Sequence, residues 1–437
     1  MSVVQGTCRQ AIHDWRDDLL SGTRNSYVVM NSGAPSAPET PRRGGAVIRR
    51  LRATPVTAKG FRPFFLLAAT FAVSILPIWM LAYAGAIDLN GYLDATYWHA
   101  HEMLFGFATA VIAGFLLTAV GNWTGRETAT GLSLIGLCVL WLLGRVSLMV
   151  PRVFPQWLTA ISDLAFLPAL GIVIGWPIVA SNNRRNLVML GVLVALWLAN
   201  LAMHLDALGV LPGGRERGAT VGLDIVLFLI LVIAGRTIPM FTRNATGVLS
   251  IRALPALDAL TLTSMALLTV CDAALARRNV VAGAAGLTSL LAVCRSLKWG
   301  ARHALKVPLL WILHIGYLWI PAGLVLRTVS LFSPVVPPSI AIHALTVGAI
   351  GGITLGMMSR VALGHTGRAL RASRAVIASF VLVTLAAFAR VLVPLLDISH
   401  YRASVFLAGT LWTSAFGVYL AVYIPILVSP RADLKPG

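Results

Sequence analysis

The sequence predicts an all-α polytopic membrane protein of about twelve transmembrane helices, and three observations lead there. Of the 437 residues, 57% are hydrophobic and only 12% charged, about half the charged share of an ordinary soluble domain. Apolar runs of about 20 residues, the length that crosses a hydrocarbon layer, recur with short breaks between them. Part of the second run reappears in the tenth at a constant offset, which points to repeated units. No water-soluble core could hide so much apolar surface, so lipid is the solvent for most of it.

Taken in order, the first sixty residues stand apart. They are polar, basic and rich in Ser, Pro and Arg, as in Pro35-Ser36-Ala37-Pro38 and Arg49-Arg50-Leu51-Arg52. They lack the continuous apolar core of a signal peptide and read as a disordered cytoplasmic tail, 1–60, ahead of a membrane domain, 61–430. Apolar spans follow at roughly 64–86, 98–120, 131–150, 157–180, 187–208, 221–239, 255–275, 280–297, 307–331, 339–359, 375–396 and 404–428.

The net charge of +19 forms no single patch, which argues against a nucleic-acid partner. Basic residues gather in alternate loops: Arg184 and Arg185; Arg236, Arg243 and Arg252; Arg295, Lys298, Arg302 and Lys306; Arg360, Arg368, Arg371 and Arg374. The loop at 84–97 has no Lys or Arg, although Arg215, Arg217, Arg277 and Arg278 fall on its side. Both termini are therefore expected in the cytoplasm. Of the four cysteines, Cys138, Cys271 and Cys294 lie in or beside apolar segments, and Cys8 lies in the tail. None has zinc-ligand spacing, so they read as small buried side chains.

The repeat is specific in two copies. His101, Gly106, Gly114 and Thr124-Gly125-Arg126 recur 242 positions later as His343, Gly348, Gly356 and Thr366-Gly367-Arg368. Asn122-Trp123-Thr124-Gly125 also resembles Asn244-Ala245-Thr246-Gly247, 122 positions on. Three units of four helices are the expectation.

Nine histidines are present, and the topology sorts them. His99 and His101 open span two, His204 closes span five and His343 opens span ten, all near one face; His314 lies in span nine nearer the other. His13, His303, His365 and His400 read as solvated surface. Ionisable groups within a membrane usually face the protein interior and mark sites, and imidazole ligates both haem iron and copper. Candidate metal ligands are thus His99, His101, His204, His314 and His343. His99 and His101 point about 200° apart on an ideal helix, so if both bind they serve different centres, or one sits on unwound backbone before the helix starts. The repeat favours a haem between His101 and His343, where glycines leave room; the alternative is small-residue helix packing. Met357-Met358 reads as packing. Arg145, Arg327 and Arg390 share the level of Glu102, Asp163, Asp206 and Asp224. Two uses fit them: ion pairs, such as Arg145 with Asp163, or, for Arg327 and Arg390, pairing with haem propionates.

At this point the residues resemble a known family. Tyr97-Trp98-His99-Ala100-His101-Glu102-Met103-Leu104-Phe105-Gly106 is similar to the NnrS signature. So are Gly60-Phe61-Arg62-Pro63-Phe64-Phe65, Gly235-Arg236-Thr237-Ile238-Pro239-Met240-Phe241-Thr242-Arg243-Asn244 and Trp311-Ile312-Leu313-His314-Ile315-Gly316-Tyr317. His343-Ala344-Leu345-Thr346-Val347-Gly348 and Gly364-His365-Thr366-Gly367-Arg368 continue the match in order. The resemblance implies a twelve-span inner-membrane protein with haem, b-type by expectation, and copper, acting in denitrification and resistance to nitric oxide. It also brings His365 into the pattern and leaves open whether nitric oxide is turned over or only bound; an electron donor is a further partner to look for. The architecture further resembles the catalytic subunit of haem–copper oxidases, which hold a haem between spans two and ten. Spans six and seven here carry no histidine, so that superfamily's copper site has no counterpart at those positions. A transporter and a haem or copper assembly factor are the rival classes.

Overall fold

Among the described residues, twelve helices are long and apolar enough to cross a membrane. They are α1 (Phe61–Tyr83), α2 (Ala95–Thr124), α3 (Gly131–Met149), α4 (Gln156–Ala180), α5 (Arg184–Ala207), α6 (Gly214–Thr246), α7 (Pro255–Ala273), α8 (Arg278–Ser296), α9 (Pro308–Ser330), α10 (Pro338–His365), α11 (Arg374–Leu396) and α12 (Ile398–Val428). The computed structural model describes residues 54–435 except 90, 151 and 152, and no strand occurs among them. The tail expected over 1–60 therefore lies, up to residue 53, outside the described residues. Twelve crossings return the chain to the side from which α1 starts.

The helix ends follow local chemistry. Asp94 caps α2 by accepting hydrogen bonds from the backbone N–H groups of Thr96 and Tyr97, both at 3.1 Å. Proline occupies the first turn of α7, α9 and α10, where a missing N–H costs nothing. The three similar loops found in the sequence turn alike: Gly125, Gly247 and Gly367 have φ of 65°, 72° and 70°, a conformation that glycine takes without strain. Several helices outrun their apolar cores. α6 was expected at 221–239 and runs 214–246, because a helix continues past the hydrocarbon wherever polar side chains such as Arg215 and Arg243 meet water or headgroups.

Successive helices pack against each other around a closed circuit that α12 completes against α1. Three of them, α2, α6 and α10, also touch one another pairwise. Their apolar windows are 89%, 72% and 78% buried, against 39% for α1, so these three form the centre and the others face lipid. Side chains such as Ile172 and Trp176 stand exposed on the outside, as expected in hydrocarbon. Glycine makes the central packing close: a Cβ on Gly348 would run into Trp319, and one on Gly351 into Trp412.

Both α2 and α10 widen into π-helical turns, at Glu102–Ala108 and Ala344–Gly351. Each begins on the residue after a histidine, His101 in one and His343 in the other. Such turns re-aim side chains and are found mostly at functional sites.

Candidate functional site

The two histidines of α2 look in different directions. His101 enters a buried pocket between α2, α3, α4 and α5. Its Nδ1 meets Glu102 Oε1 at 3.0 Å, and its Nε2 meets Asn200 Oδ1 at 2.8 Å and Asp163 Oδ2 at 3.3 Å. His204 reaches the same carboxylate oxygen through Nε2 at 2.9 Å. The two imidazole rings stand nearly perpendicular, with centroids 5.3 Å apart. Ligand atoms of His101, Asp163 and His204 all lie within 4.8 Å of one another, and all three residues are buried. The sequence-level ion pair of Arg145 with Asp163 is present, and Arg145 Nη1 also donates to Glu102 Oε1 at 2.7 Å.

Two features of this pocket call for a cation. First, two carboxylates face one guanidinium, which leaves one negative charge over. Second, His101 has an oxygen acceptor on each ring nitrogen, because Asn200 spends its amide N–H on Asp163 at 2.7 Å. A neutral imidazole carries one N–H and satisfies only one of them. Either a second proton on His101 or a metal ion at Nε2 resolves the conflict. The outer partners suit a metal: Glu102 holds His101 Nδ1, and the Tyr92 hydroxyl holds His204 Nδ1 at 2.8 Å, the usual carboxylate or hydroxyl support of metal-bound imidazole. Tyr92 lies in the connection between α1 and α2, where burial pushes its phenol upward and keeps it protonated. Its hydroxyl serves either imidazole tautomer, donating to Nδ1 or accepting from it.

His99 turns to the other side of α2. Its ring stacks on Trp79 of α1, centroids 4.3 Å apart, and its Nδ1 is buried without a partner. His343 lies within electrostatic reach of both His99 and Arg390. The His343 Nδ1–H donates to the Ser339 carbonyl at 2.6 Å, leaving Nε2 free as a lone-pair ligand. Arg390 Nη2 donates to the Tyr401 hydroxyl at 2.6 Å while its Nη1 is buried with no partner. His101 therefore faces His204, not His343 as the repeat suggested, while His99 turns the other way. The physical reason is the 200° between them: occupying equivalent positions in two helices does not make two side chains face each other.

The remaining candidates lie elsewhere. Arg327 does not stand free for a propionate, since Asp224 Oδ1 at 3.0 Å and Asp272 Oδ2 at 2.7 Å take its Nη1 and Nη2. His314 sits toward the opposite end of the bundle, its Nε2 3.0 Å from Thr242 Oγ1, apart from the other four. His365 is half-buried against Phe61, centroids 5.7 Å apart, not on the open surface. Cys138, Cys271 and Cys294 are free thiols. Sequence reasoning missed Asn200 and Tyr92 as parts of the site, and read Asp163 only as an ion-pair partner. A polar residue one helical turn before His204 was the available signal for Asn200; for Tyr92 there was none.

Residues 55–431 match the family described as NnrS protein, which covers nearly the whole described chain. The chain belongs to the NnrS family, membrane proteins of the nitric oxide response. No curated protein matches it.

Proposed function

We propose that this NnrS-family protein handles nitric oxide at two histidine centres set on opposite sides of α2. Copper is assigned to His101, His204 and Asp163; b-type haem is assigned to His99 and His343, with Arg390 for its propionates. The observation that carries this reading is that His101 and His204 converge on Asp163, while His99, two residues away, turns a buried and unpartnered Nδ1 to the other side of α2. Borderline imidazole nitrogen with one carboxylate suits copper, whereas two imidazoles without an acid beside an arginine suit haem. Reduced copper would supply the affinity for nitric oxide, and a haem held by two imidazoles would supply electrons.

The chain's own residues do the rest. Glu102 and Tyr92 fix the rings of His101 and His204 so that both Nε2 atoms point at Asp163. Arg145 holds both acids and neutralises one. The Ser339 carbonyl fixes the tautomer of His343. An electron donor is the partner that such centres require, and whether nitric oxide is reduced or only bound follows from its presence. The transporter reading has less support, because these polar groups gather near one set of helix ends, away from the midplane.

The test is an absorption spectrum and metal analysis of protein purified in mild detergent. The expected result is a haem band and about one copper per chain, with His343→Ala losing the haem and His204→Ala losing the copper. Colourless, metal-free protein that takes up neither would overturn the assignment.

A further inference from the structure

Asp224 follows Glu102 by 122 positions, the offset that relates Asn122–Gly125 to Asn244–Gly247. The two acids are built into their surroundings in the same way. Each is fully buried and accepts a hydrogen bond from an arginine of another helix, Arg145 in one case and Arg327 in the other. Each arginine also holds a second acid, Asp163 or Asp272. One difference matters: His101 precedes Glu102, whereas Leu223 precedes Asp224. The second triad has no imidazole, hence no soft ligand for a transition metal.

It nevertheless has the same charge imbalance, two carboxylates against one guanidinium, inside a membrane protein where uncompensated charge is strongly disfavoured. The geometry shows how the imbalance is met. Asp224 Oδ2 is buried and has no donor, and Arg327 gathers the two carboxyl groups side by side, holding Asp224 Oδ1 at 3.0 Å and Asp272 Oδ2 at 2.7 Å on its two terminal nitrogens. Two carboxylates only accept, so a hydrogen bond between them requires that one carry a proton. Other contacts do not supply the missing charge. α2 meets this stretch of α6 with the Phe105 ring against Gly222, and α5 meets it with Ala199 and Met203 against Gly218. The charged groups that act on Asp224 are Arg327 from α9 and Asp272 from α7.

We propose that Asp224, Asp272 and Arg327 form a proton-binding site that stores one exchangeable proton between the two carboxyl groups. Asp224 is the enclosed member. Asp272 and Arg327 reach the rim, with side chains 9% and 16% exposed, so the proton enters and leaves past Asp272. The pair titrates as one unit, and the proton belongs to neither acid alone. This site is independent of the haem and copper assignments, since none of its members ligates either.

Infrared spectroscopy of the full-length protein in lipid tests it directly. The wild type at neutral pH should show the C=O stretch of one protonated carboxyl that shifts in deuterated water. Asp224→Asn and Asp272→Asn should each lose that band, because one remaining acid against one arginine stays ionised. Each single variant should also melt close to the wild type, while the double variant, with Arg327 left unpaired, melts well below both. If Asp224→Asn does not fold, Asp272→Asn carries the same readout. A wild-type spectrum without a band that either variant removes overturns the proposal. So does stabilisation by sodium but not choline chloride in its place, which would make the bound species a metal cation.

Discussion

His99 and His101 are separated by a single residue, yet His99 stacks on Trp79 of α1 while His101 meets His204 of α5. The helix between them acts as a wall. Because the two centres share no ligand, losses at one should leave the other in place. His99→Ala is expected to remove the haem spectrum and keep the copper, and His101→Ala to do the reverse. Optical spectra and metal content of both variants check this, and loss of both cofactors from either one would join the two centres into one.

Arg145 holds Glu102 and Asp163 together in a fully enclosed setting. Removing one partner from a buried ion pair leaves its charge uncompensated and typically costs about 3–5 kcal/mol. Arg145→Gln, which keeps hydrogen-bonding capacity but not charge, should therefore lower the melting temperature sharply. A divalent ion bound at His101, His204 and Asp163 supplies positive charge at the same place, so added copper or zinc should restore more stability to Arg145→Gln than to the wild type. Equal shifts in both proteins would show that the ion does not sit beside these acids.

Much of this molecule was legible from residue types and spacing. Twelve spans follow from apolar run length, because lipid forces every spanning segment to satisfy its own backbone as a helix. The Arg145–Asp163 pair and the separation of His99 from His101 follow from helix periodicity and charge. What periodicity does not give is rotation about each helix axis. The π-helical turns after His101 and His343 reset that rotation, so equivalence in sequence placed His101 opposite His343 when it in fact faces His204. Arg327 stayed open between an ion pair and a propionate for a related reason: its two aspartates come from α6 and α7, distant in sequence and brought together only by packing.

Gly316 and Gly352 mark where α9 and α10 approach most closely on one side of the centre. A Cβ at Gly316 would stand 2.9 Å from the backbone nitrogen of Ile353, an obstacle that no side-chain rotation removes. Gly316→Ala should cost about 1–3 kcal/mol through overpacking. Gly136 has nothing within 4 Å of such an added atom, so Gly136→Ala should be neutral or stabilising by up to about 1 kcal/mol. Thermal unfolding in the same detergent compares them, and similar melting points for the two variants would contradict the close approach.

Tyr92 lies outside the spans, yet it orients a residue within them. Its phenol, pushed upward by burial, stays protonated in the folded protein past the ordinary tyrosine value of about 10. The stability this contributes is full below that value and is lost as pH rises through the raised one. At neutral pH the hydroxyl therefore always holds His204 Nδ1. Tyr92→Phe keeps the ring packed against His204, centroids 5.5 Å apart, and removes only the hydrogen bond. Loss of such an outer partner weakens metal affinity by about 10- to 100-fold, so copper titration of Tyr92→Phe should show a drop of that order with the haem spectrum unchanged. Wild-type affinity should itself weaken toward acid, since protons compete for the imidazole ligands. If Tyr92→Phe binds copper as tightly as the wild type across that range, His204 is not held for a metal, and the pocket is an ion-pair network whose missing cation is the second proton on His101.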